Sequence, residues 1–349
     1  MISWPSVGTI NWGAFVAFAA VLLLLPAVMD THTPTLLLIY ALFALSMGLQ
    51  WGYAGLMSFG HSAYFGLGAY TYAIASINMG ESTIPLLLAI IIPAAAAALI
   101  GAMMFYGRIS DVYMGVITLV VTLILYKFMR ATAGDQYIIG EARLGGFNGI
   151  PAFPTLNVPG MPEISLFGTP TYYVCAVALL LSYLLCRWIL ARSFGRVMVG
   201  IRENEARAEL MGYNVPAYKT AMFTLSAAMA GLAGCFFANY NEIVTPDVFN
   251  LQMAAEVIIW VVVGGVGTLV GPMFGAAVLG YIKLLLGEQT LISPLLILGP
   301  LLIIVVLLFP SGVVQTVARW VRPSGRRRRG IGKPRRRLLL EPESKDAAP

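Results

Sequence analysis

One polar stretch divides an otherwise apolar chain, and it runs from Arg192 to Lys219 as RSFGRVMVGIRENEARAELMGYNVPAYK. The pattern predicts one helix between Gly195 and Gly212, with Glu203 and Arg207 four residues apart on one face. A short exposed helix between membrane spans fits a docking surface for another protein. A solvated connector whose charges only set the orientation of the chain fits the same pattern.

The composition on either side of this stretch is that of a membrane protein. Of 349 residues, 59% are hydrophobic and 11% are charged. Soluble domains are about 45–50% apolar and about 25% charged. A soluble fold cannot hide so much apolar surface, so the sequence predicts an all-α, polytopic membrane protein.

The positive net charge comes from the C-terminal end of the chain. Of 22 basic and 16 acidic residues, 11 basic and 3 acidic lie from Arg319 onward, which leaves 11 basic and 13 acidic upstream. Residues 322–349 are therefore predicted to be a disordered basic tail that attracts anionic lipid headgroups. The charge does not indicate a nucleic-acid surface.

The three cysteines, Cys175, Cys186 and Cys235, lie in apolar runs without metal-ligand spacing. They are interpreted as small apolar residues, with no disulfide or zinc site. The N-terminus has no basic region and no cleavage signal before Met29. Its first apolar run is interpreted as a span rather than a signal peptide.

About ten segments come near the 17–25 apolar residues that a span needs. Two of them, Ala63–Ile77 and Met253–Val263, are short and flanked by glycine, as re-entrant or broken helices are. The segments are residues 12–29, 35–53, 63–77, 84–106, 112–129, 172–191, 220–240, 253–263, 269–286 and 294–309.

Lysine and arginine in short loops favour the cytoplasmic side of a membrane. This places the polar stretch, residues 192–218, in the cytoplasm. Counting spans from there puts both termini in the cytoplasm and residues 131–170 in the periplasm. The transmembrane domain predicted in this way covers residues 1–321.

The periplasmic segment contains GGFNGIP from Gly145 to Pro151, which predicts ordered turns. A connection of this length is longer than a plain connector needs, which favours a functional surface. A flexible loop is the alternative.

A glycine-rich stretch, GLMSFGHSAYFGLGAY, runs from Gly55 to Tyr70 and contains Ser58 and His61. Small residues let helices approach closely, and polar residues at membrane depth face the bundle interior or a cavity. The stretch therefore predicts either a helix break that lines a substrate path or an interhelical hydrogen bond from His61. The glycines predicted to serve packing or breaks here are Gly60, Gly66 and Gly68.

A second glycine-rich stretch, GGVGTLVGPMFG, begins at Gly264. Gly267, Gly271 and Gly275 recur every four residues, which predicts one packed helix face next to a break at Gly264 and Gly265. The stretch has neither the spacing nor the lysine of a phosphate-binding loop.

Three ionisable residues, Glu242, Glu256 and Lys283, lie in or near predicted spans. Glu242 and Lys283 fall near span ends and are expected to reach toward water. Glu256 begins the short segment before the second glycine stretch, so it joins Ser58 and His61 as a candidate for the translocation path. The sequence contains no catalytic triad, metal site or nucleotide-binding loop, so no enzyme is predicted.

Four motifs, in this order, carry a resemblance to a known family. They are GLMSFGHSAYFGLGAY at residues 55–70, GGFNGI at 145–150, GRVMVGIRENEARAELMGYN at 195–214 and GGVGTLVGP at 264–272. Over residues 35–310 the chain resembles the permeases of branched-chain amino-acid ABC importers, specifically the M-type (LivM-like) subunit.

The resemblance implies an importer permease of the bacterial inner membrane, supplied by a periplasmic solute-binding protein. It also implies a second homologous permease and two cytoplasmic ATPases that bind ATP and magnesium, with no cofactor in this chain. The loop from Arg196 to Asn214 would be the coupling helix that docks on an ATPase. The coupling residues implied are Gly195, Arg196, Arg202, Glu203, Glu205 and Gly212.

The segment Ala131–Leu144 is longer and more charged than the family pattern suggests, which leaves the substrate open. Branched-chain amino acids are the first expectation, and urea, short amides or other small carboxylates are the alternatives. An ion-coupled secondary transporter or channel, and a scaffold without transport, are the alternatives in class.

Overall fold

A computed structural model describes residues 12–27, 30–158 and 161–287, together with residues 299, 300, 312 and 316. The chain is mostly helical. The helices are α1 (Trp12–Leu24), α2 (His32–Ala54), α3 (His61–Met79), α4 (Thr83–Tyr106), α5 (Asp111–Ala131), α6 (Thr169–Ala191), α7 (Ser193–Glu203), α8 (Glu205–Leu210), α9 (Val215–Asn241), α10 (Leu251–Gly264) and α11 (Val270–Gly287).

Five helices, α2, α4, α5, α6 and α9, are long and apolar enough to cross a membrane. The predicted segments from residue 12 to residue 286 all coincide with helices, although α1, α3, α10 and α11 do not meet that criterion. The last predicted span, Pro294–Phe309, and the tail at 322–349 lie outside the described residues. A polytopic membrane protein is therefore supported, whereas the count of ten and the placement of the termini stay predictions.

Helix α2 lies at the centre of the bundle and is buried almost throughout. By contrast, α4, α5 and α6 expose long apolar faces, as helices in contact with lipid or with another membrane subunit do. Close approaches between backbones hold the centre together. Gly68 of α3 lies against Gly231 of α9, and Gly234 of α9 lies against the carbonyl of Phe65, so neither position has room for a side chain.

Helices α10 and α11 form a hairpin inside the bundle. The 14 residues of α10 span about 21 Å, which is less than the ~30 Å of a bilayer core. The chain turns at Gly265 and Gly267, whose φ angles of 112° and 94° are strained for other residues. The two arms then pack with Gly264 directly against Gly271, as the predicted break requires.

One part of the second glycine prediction is wrong. Gly267 does not share a helix face with Gly271 and Gly275, because α11 begins only at Val270 and Gly267 lies in the turn. Gly271 and Gly275 are on α11 and pack against α10. The tip of the hairpin reaches α2, where a Cβ at Gly48 would lie 2.5 Å from Pro272 and one at Gly52 would lie 3.0 Å from the Gly267 nitrogen.

The described part of the segment between α5 and α6 contains no α-helix and only one 3-10 helix, Gly146–Asn148, which corrects the all-α expectation in detail. It holds the short strands β1 (Ile138–Ile139), β2 (Ala142–Arg143), β3 (Ile150–Pro151), β4 (Asn157–Val158) and β5 (Met161–Ser165). β1 pairs with β2, β4 pairs with β5, and β3 pairs with β6 (Ile243–Val244), which follows α9. The pairing with β6 ties this segment to the helical bundle.

Side-chain amides fasten the same segment to the helix ends. The Leu156 nitrogen donates to Asn239 Oδ1 of α9 at 2.8 Å, and the Glu141 nitrogen donates to Asn78 Oδ1 of α3 at 2.7 Å. The Ser82 nitrogen, just before α4, donates to Asn157 Oδ1 at 3.2 Å. The described part of residues 131–170 is therefore packed on one end of the bundle, and α7 and α8 lie at the other.

Candidate coupling and translocation sites

The polar stretch between α6 and α9 forms two helices, not the single predicted one. Asn204, with φ −158° and ψ 98°, breaks it between α7 and α8, and its Oδ1 accepts from the Arg207 nitrogen at 2.8 Å. An asparagine that caps the next helix in this way is typical of an N-cap. Glu203 and Arg207 consequently fall on different helices, so their predicted pairing on one face is wrong.

Two glycines frame α7 and α8. Gly195 is buried where α6 turns into α7, and a Cβ there would lie 2.7 Å from the Leu190 carbonyl oxygen. Gly212, after α8, has a φ of 85°. Between them, Arg196 is exposed and donates to the Ala191 carbonyl at 2.9 Å. These residues fix the path of the chain around the two helices.

Arg202 connects α7 to the centre of the bundle. Its Nη1 donates to the carbonyl oxygen of Gly52 in the last turn of α2, and its side chain packs beside Gly55, which ends α2 with a φ of 75°. Burial lowers the pKa of Arg202, and the neighbouring Glu203 carboxylate opposes that shift. The guanidinium stays charged, because the pKa of an arginine side chain lies far above neutral pH.

Ion pairs hold α8 in place. Glu205 Oε2 lies 2.6 Å from Nζ of Lys219, a residue of α9 that is only 9% exposed, and Glu209 Oε1 lies 3.7 Å from Arg108 in the α4–α5 loop. The second pair puts Arg108 at the same end of the bundle as α7 and α8, in agreement with the orientation predicted from charge. Sidedness relative to the membrane stays a prediction.

The end of α8 presents apolar side chains to solvent. Leu210 is 89% exposed, Met211 63% and Tyr213 40%. We name these three residues the α8 patch. Exposed apolar residues grouped in this way mark interaction surfaces more often than isolated ones do. The two ion pairs of α8 lie just before the patch and join its helix to α9 and to the α4–α5 loop, so the patch has a defined position.

Ser58 and His61 lie together where α3 begins inside the bundle. Both side chains are fully buried, and His61 Nε2 is 2.8 Å from Ser46 Oγ of α2. Ser46 lies about 21 Å along α2 from its first residue, so α3 starts well within the bundle. This is a helix break of the kind that the sequence predicts, and the interhelical hydrogen bond of His61 is present as well.

The hydrogen bonds around His61 favour one tautomer. Ser46 Oγ donates its proton to the Phe43 carbonyl at 2.6 Å, so His61 Nε2 donates to Ser46. His61 Nδ1 is then an acceptor, and it has no hydrogen-bond partner within the described part of the chain. The histidine ring stacks on Phe43 with centroids 5.5 Å apart. Its role in the path stays a prediction.

The predicted packing glycines of α3 sit against other elements. Gly60 lies against the Thr118 carbonyl of α5, and Gly66 lies against the ring of Phe249. Together with Gly68, which lies against Gly231 of α9, they mark three positions at or near the start of α3 where a side chain has no room. Substitution by any larger residue requires the neighbours to move.

Glu256 of α10 forms a buried ion pair with Lys283 of α11. Glu256 is 1% exposed; its Oε2 lies 2.7 Å from Lys283 Nζ, and its Oε1 accepts from Gln252 Nε2 at 3.0 Å. Lys283 was expected to reach toward water from a span end. That expectation is wrong, because its ammonium group turns inward to the other arm of the hairpin. Glu242 is exposed and ends α9, as expected for a span end.

The ion pair borders a cavity of about 330 Å³. Tyr40 of α2 and Phe237 of α9 form part of its wall, and Asp247, Val248 and Asn250 line it from the connection between α9 and α10. The structure thus brings Glu256 together with this cavity. His61 contacts Ser46 and Phe43 of α2 instead, and Ser58 Oγ accepts a hydrogen bond from the Gly60 nitrogen at 3.3 Å.

Sequence reasoning missed Tyr40, Asp247 and Gln252 as neighbours of Glu256. The spacing of Gln252 and Glu256, four residues apart, is a signal that could have indicated their hydrogen bond. Tyr40 and Asp247 offered no local signal, because they come from separate elements. The three cysteines are buried and unpaired, as predicted. Within the described residues, no group of three or more His, Cys, Asp or Glu side chains could hold a metal ion.

Long apolar helices around the short, glycine-bounded α10 define the class of polytopic membrane proteins. The chain belongs to the family described as branched-chain amino acid transport system / permease component, which matches residues 32–309. This family is a component of a transport system, in agreement with the expectation that the chain is not an enzyme.

Individual relatives support the same assignment. Over 298 residues the chain is 27% identical to the high-affinity branched-chain amino acid transport system permease protein LivM of Escherichia coli K12, covering 80% of this chain and 68% of that one. It is 22% identical to the probable LivM permease of Methanocaldococcus jannaschii (71% and 78% covered). It is 23% identical to the LivH permease of Salmonella typhimurium LT2 (79% and 91% covered). No solved structure matches the chain.

Proposed function

We propose that the chain is a permease subunit of an ATP-driven importer of the bacterial inner membrane, and that it carries branched-chain amino acids into the cytoplasm. The family and the names of the LivM and LivH relatives support the substrate class. The importer would contain a second, homologous permease, two ATPases that bind ATP and magnesium, and a periplasmic solute-binding protein.

The observation that carries the proposal is the α8 patch. Leu210 is 89% exposed although it is the last residue of a helix that the Glu205–Lys219 and Arg108–Glu209 pairs join to the rest of the bundle. An apolar side chain held out in this way gains free energy only when a partner covers it. A cytoplasmic ATPase is the partner that an importer permease needs at this end. The coupling site would then comprise α7 and α8, with Gly195, Arg196, Arg202, Glu203, Glu205 and Gly212.

Movement of α7 has a direct route to the hairpin. Arg202 binds the Gly52 carbonyl of α2, and Gly52 in turn lies against Gly267 at the tip of the hairpin. Closure of the ATPases would displace α7, and this chain of contacts would pass the displacement to α10 and α11. Such a route would link ATP hydrolysis to opening of the path through the bundle.

The opposite end would receive the substrate. The strands of residues 131–170 are fixed to the bundle by Asn78, Asn157 and Asn239, so they form an ordered surface that a binding protein could contact. The path from there would pass Glu256, with Ser58 and His61 as further polar groups. The bilayer would surround the exposed apolar faces of α4, α5 and α6.

A charged variant of the patch tests the proposal. We expect Leu210→Glu with Met211→Glu to reduce copurification of the ATPases and ATP-dependent uptake of leucine by proteoliposomes about tenfold or more, as loss of interface anchors does. The matched control is Met161→Glu with Ile164→Glu, the same change at residues 57% and 50% exposed on β5, which should keep the ATPases bound.

Three results would contradict parts of the proposal. If the variant with both Leu210→Glu and Met211→Glu binds the ATPases as the wild type does, the assignment of α7 and α8 as the coupling site is wrong. Uptake that persists without ATPases and collapses with the proton gradient would identify an ion-coupled transporter. Competition by urea, short amides or small carboxylates, but not by leucine, isoleucine or valine, would contradict the substrate class.

A further inference from the structure

The cavity beside the Glu256–Lys283 pair has features that a passive stretch of a membrane path does not need. It is about 330 Å³ in volume, at the small end of the range of about 300–1,000 Å³ for ligand sites. Its lining comes from α2, α9, α10, α11 and the connection before α10. Five elements of the chain thus meet around a space that suits one small molecule.

Charge is the most informative property of this lining. Glu256 is 1% exposed and pairs with Lys283 at 2.7 Å, whereas Asp247 is exposed nearby in the lining. Burial of an ion pair is unfavourable unless the geometry is excellent, and apolar residues in its place are often as stable or more so. Stability of the hairpin alone therefore gives little reason for an acid and a base at these two positions.

Within the part of the chain that the structure describes, the hydrogen-bonding capacity of the Glu256–Lys283 pair is not filled. A lysine ammonium group has three donors, and Glu256 accepts one of them; a carboxylate has about four acceptor positions, of which Lys283 and Gln252 occupy one on each oxygen. Both groups can therefore bind a ligand that carries the opposite charges. An amino-acid zwitterion has an ammonium group and a carboxylate separated by one carbon atom, and it can align with the pair head to tail.

The net charge of the lining selects among small solutes. Two carboxylates, Asp247 and Glu256, and one ammonium, Lys283, give the described lining a formal charge of −1. This net negative charge repels a simple carboxylate. Urea and short amides carry no charge that could pair with the ionised groups of the lining. Apolar groups from Val248, Met253 and Phe237 line the rest of the cavity and suit an aliphatic side chain.

We propose that this cavity is a binding site for one amino-acid zwitterion, with the substrate ammonium group at Glu256 and Asp247 and its carboxylate at Lys283. The inference rests on the proposed importer function and adds to it a site within the permease itself. The substrate would meet this site after leaving the binding protein. The permease would then select the substrate a second time, after the binding protein has released it.

Direct binding to the full complex, without the binding protein, tests the site. Radiolabelled L-leucine should bind the complex in nanodiscs and be displaced by unlabelled leucine. It should resist displacement by 4-methylpentanoate, which lacks the ammonium group, and by leucinamide, which lacks the carboxylate. Glu256→Gln should weaken leucine binding about 10- to 100-fold, as expected for loss of a hydrogen bond to a charged group. Glu242→Gln, an exposed acid outside the lining, is the matched control and should bind normally.

A double variant separates a binding role from a structural one. Glu256→Met with Lys283→Met removes both charges together, and a buried pair replaced in this way commonly keeps the fold. Assembly with the partner subunits and the elution volume verify that fold. The proposal expects an assembled complex that neither binds nor transports leucine. Transport at the wild-type rate by this double variant would overturn it and identify the pair as a clamp of the hairpin.

The same experiments distinguish failure of this site from failure of the proposed function. If the wild-type complex shows no ATP-dependent uptake of any amino acid, the importer function is wrong. If it transports leucine and the double variant does so equally well, only the site is wrong. Competition by 4-methylpentanoate equal to that by leucine would likewise exclude a zwitterion site.

Discussion

Arg202 on α7 donates a hydrogen bond to the carbonyl oxygen of Gly52, in the last turn of α2. The two residues lie 150 positions apart, and they join the exposed helices of one end to the most buried helix of the bundle. An arginine also satisfies a carbonyl that the helix end leaves without an intrahelical donor. This contact links the proposed coupling site to the interior of the bundle.

We expect Arg202→Ala to uncouple the importer. The loss removes a charged hydrogen bond worth about 1.5–3 kcal/mol and the packing of the side chain beside Gly55. Stimulation of ATP hydrolysis by the loaded binding protein should fall, while basal hydrolysis persists. Lys127→Ala, at an exposed basic residue of α5 outside the proposed coupling site, should leave the stimulation close to wild type. Equal effects of the two changes would contradict this role of Arg202.

The contact between Gly68 and Gly231 predicts a large effect of a single methyl group. Gly68→Ala should lower the free energy of unfolding by about 1–3 kcal/mol, because the new Cβ would overlap the backbone of α9. Thermal unfolding in detergent measures the change. Gly200→Ala on α7, where nothing lies within 4 Å, should be neutral or stabilising by about 0.5–1 kcal/mol. A neutral Gly68→Ala variant would show that α3 and α9 are not packed this closely.

We expect Asn239 to contribute most to holding residues 131–170 on the helical bundle. In Asn239→Leu the buried Leu156 nitrogen loses its acceptor, which costs about 1–3 kcal/mol. Limited proteolysis should then cut residues 131–170 faster than in the wild type. Asn241→Ala, an exposed neighbour that bonds only to the Phe237 carbonyl among described residues, should change neither rate nor stability noticeably. Unchanged protection in Asn239→Leu would refute this assignment.

The hydrogen bond between Ser46 and His61 predicts that a variant with both residues replaced is more stable than the variant with Ser46 alone replaced. Ser46→Ala leaves the His61 Nε2 proton buried without an acceptor and should destabilise the protein by about 1–3 kcal/mol. Adding His61→Phe removes the orphaned group and should recover most of that loss. The double variant also separates packing from transport. Full uptake of leucine by it would place His61 outside the translocation path, and lost uptake with recovered stability would place it inside.

The positions of the helices could be predicted because lipid imposes long apolar runs, and such runs are visible in the sequence. The break between α10 and α11 could be predicted from the short first segment and its glycines, since only glycine readily adopts the φ angles of Gly265 and Gly267. The folding of α11 back on α10 as a hairpin could not. The break between α7 and α8 was missed. Charge periodicity continues across Asn204, and only the capping preference of that residue signals the interruption.

The contacts of the candidate sites were the least predictable part. Lys283 follows Glu256 by 27 positions, so no local pattern indicates their pairing; it depends on the turn that folds α11 back on α10. Arg202 and Gly52, and Asn239 and Leu156, are separated even further. Burial at these positions is decided by the tertiary fold, and the sequence alone shows only that polar residues occur among apolar ones.

The short hairpin also bears on how the chain enters the bilayer during synthesis. A charged residue at the centre of a membrane helix costs about 2.5–3.5 kcal/mol on the insertion scale, so α10 with an ionised Glu256 is a poor substrate for insertion alone. Lys283 on α11 supplies the opposite charge, and α2 supplies the surface on which the hairpin tip packs. We therefore expect the two arms to be inserted as a pair, after α2 is in place, which makes their biogenesis dependent on the order of translation.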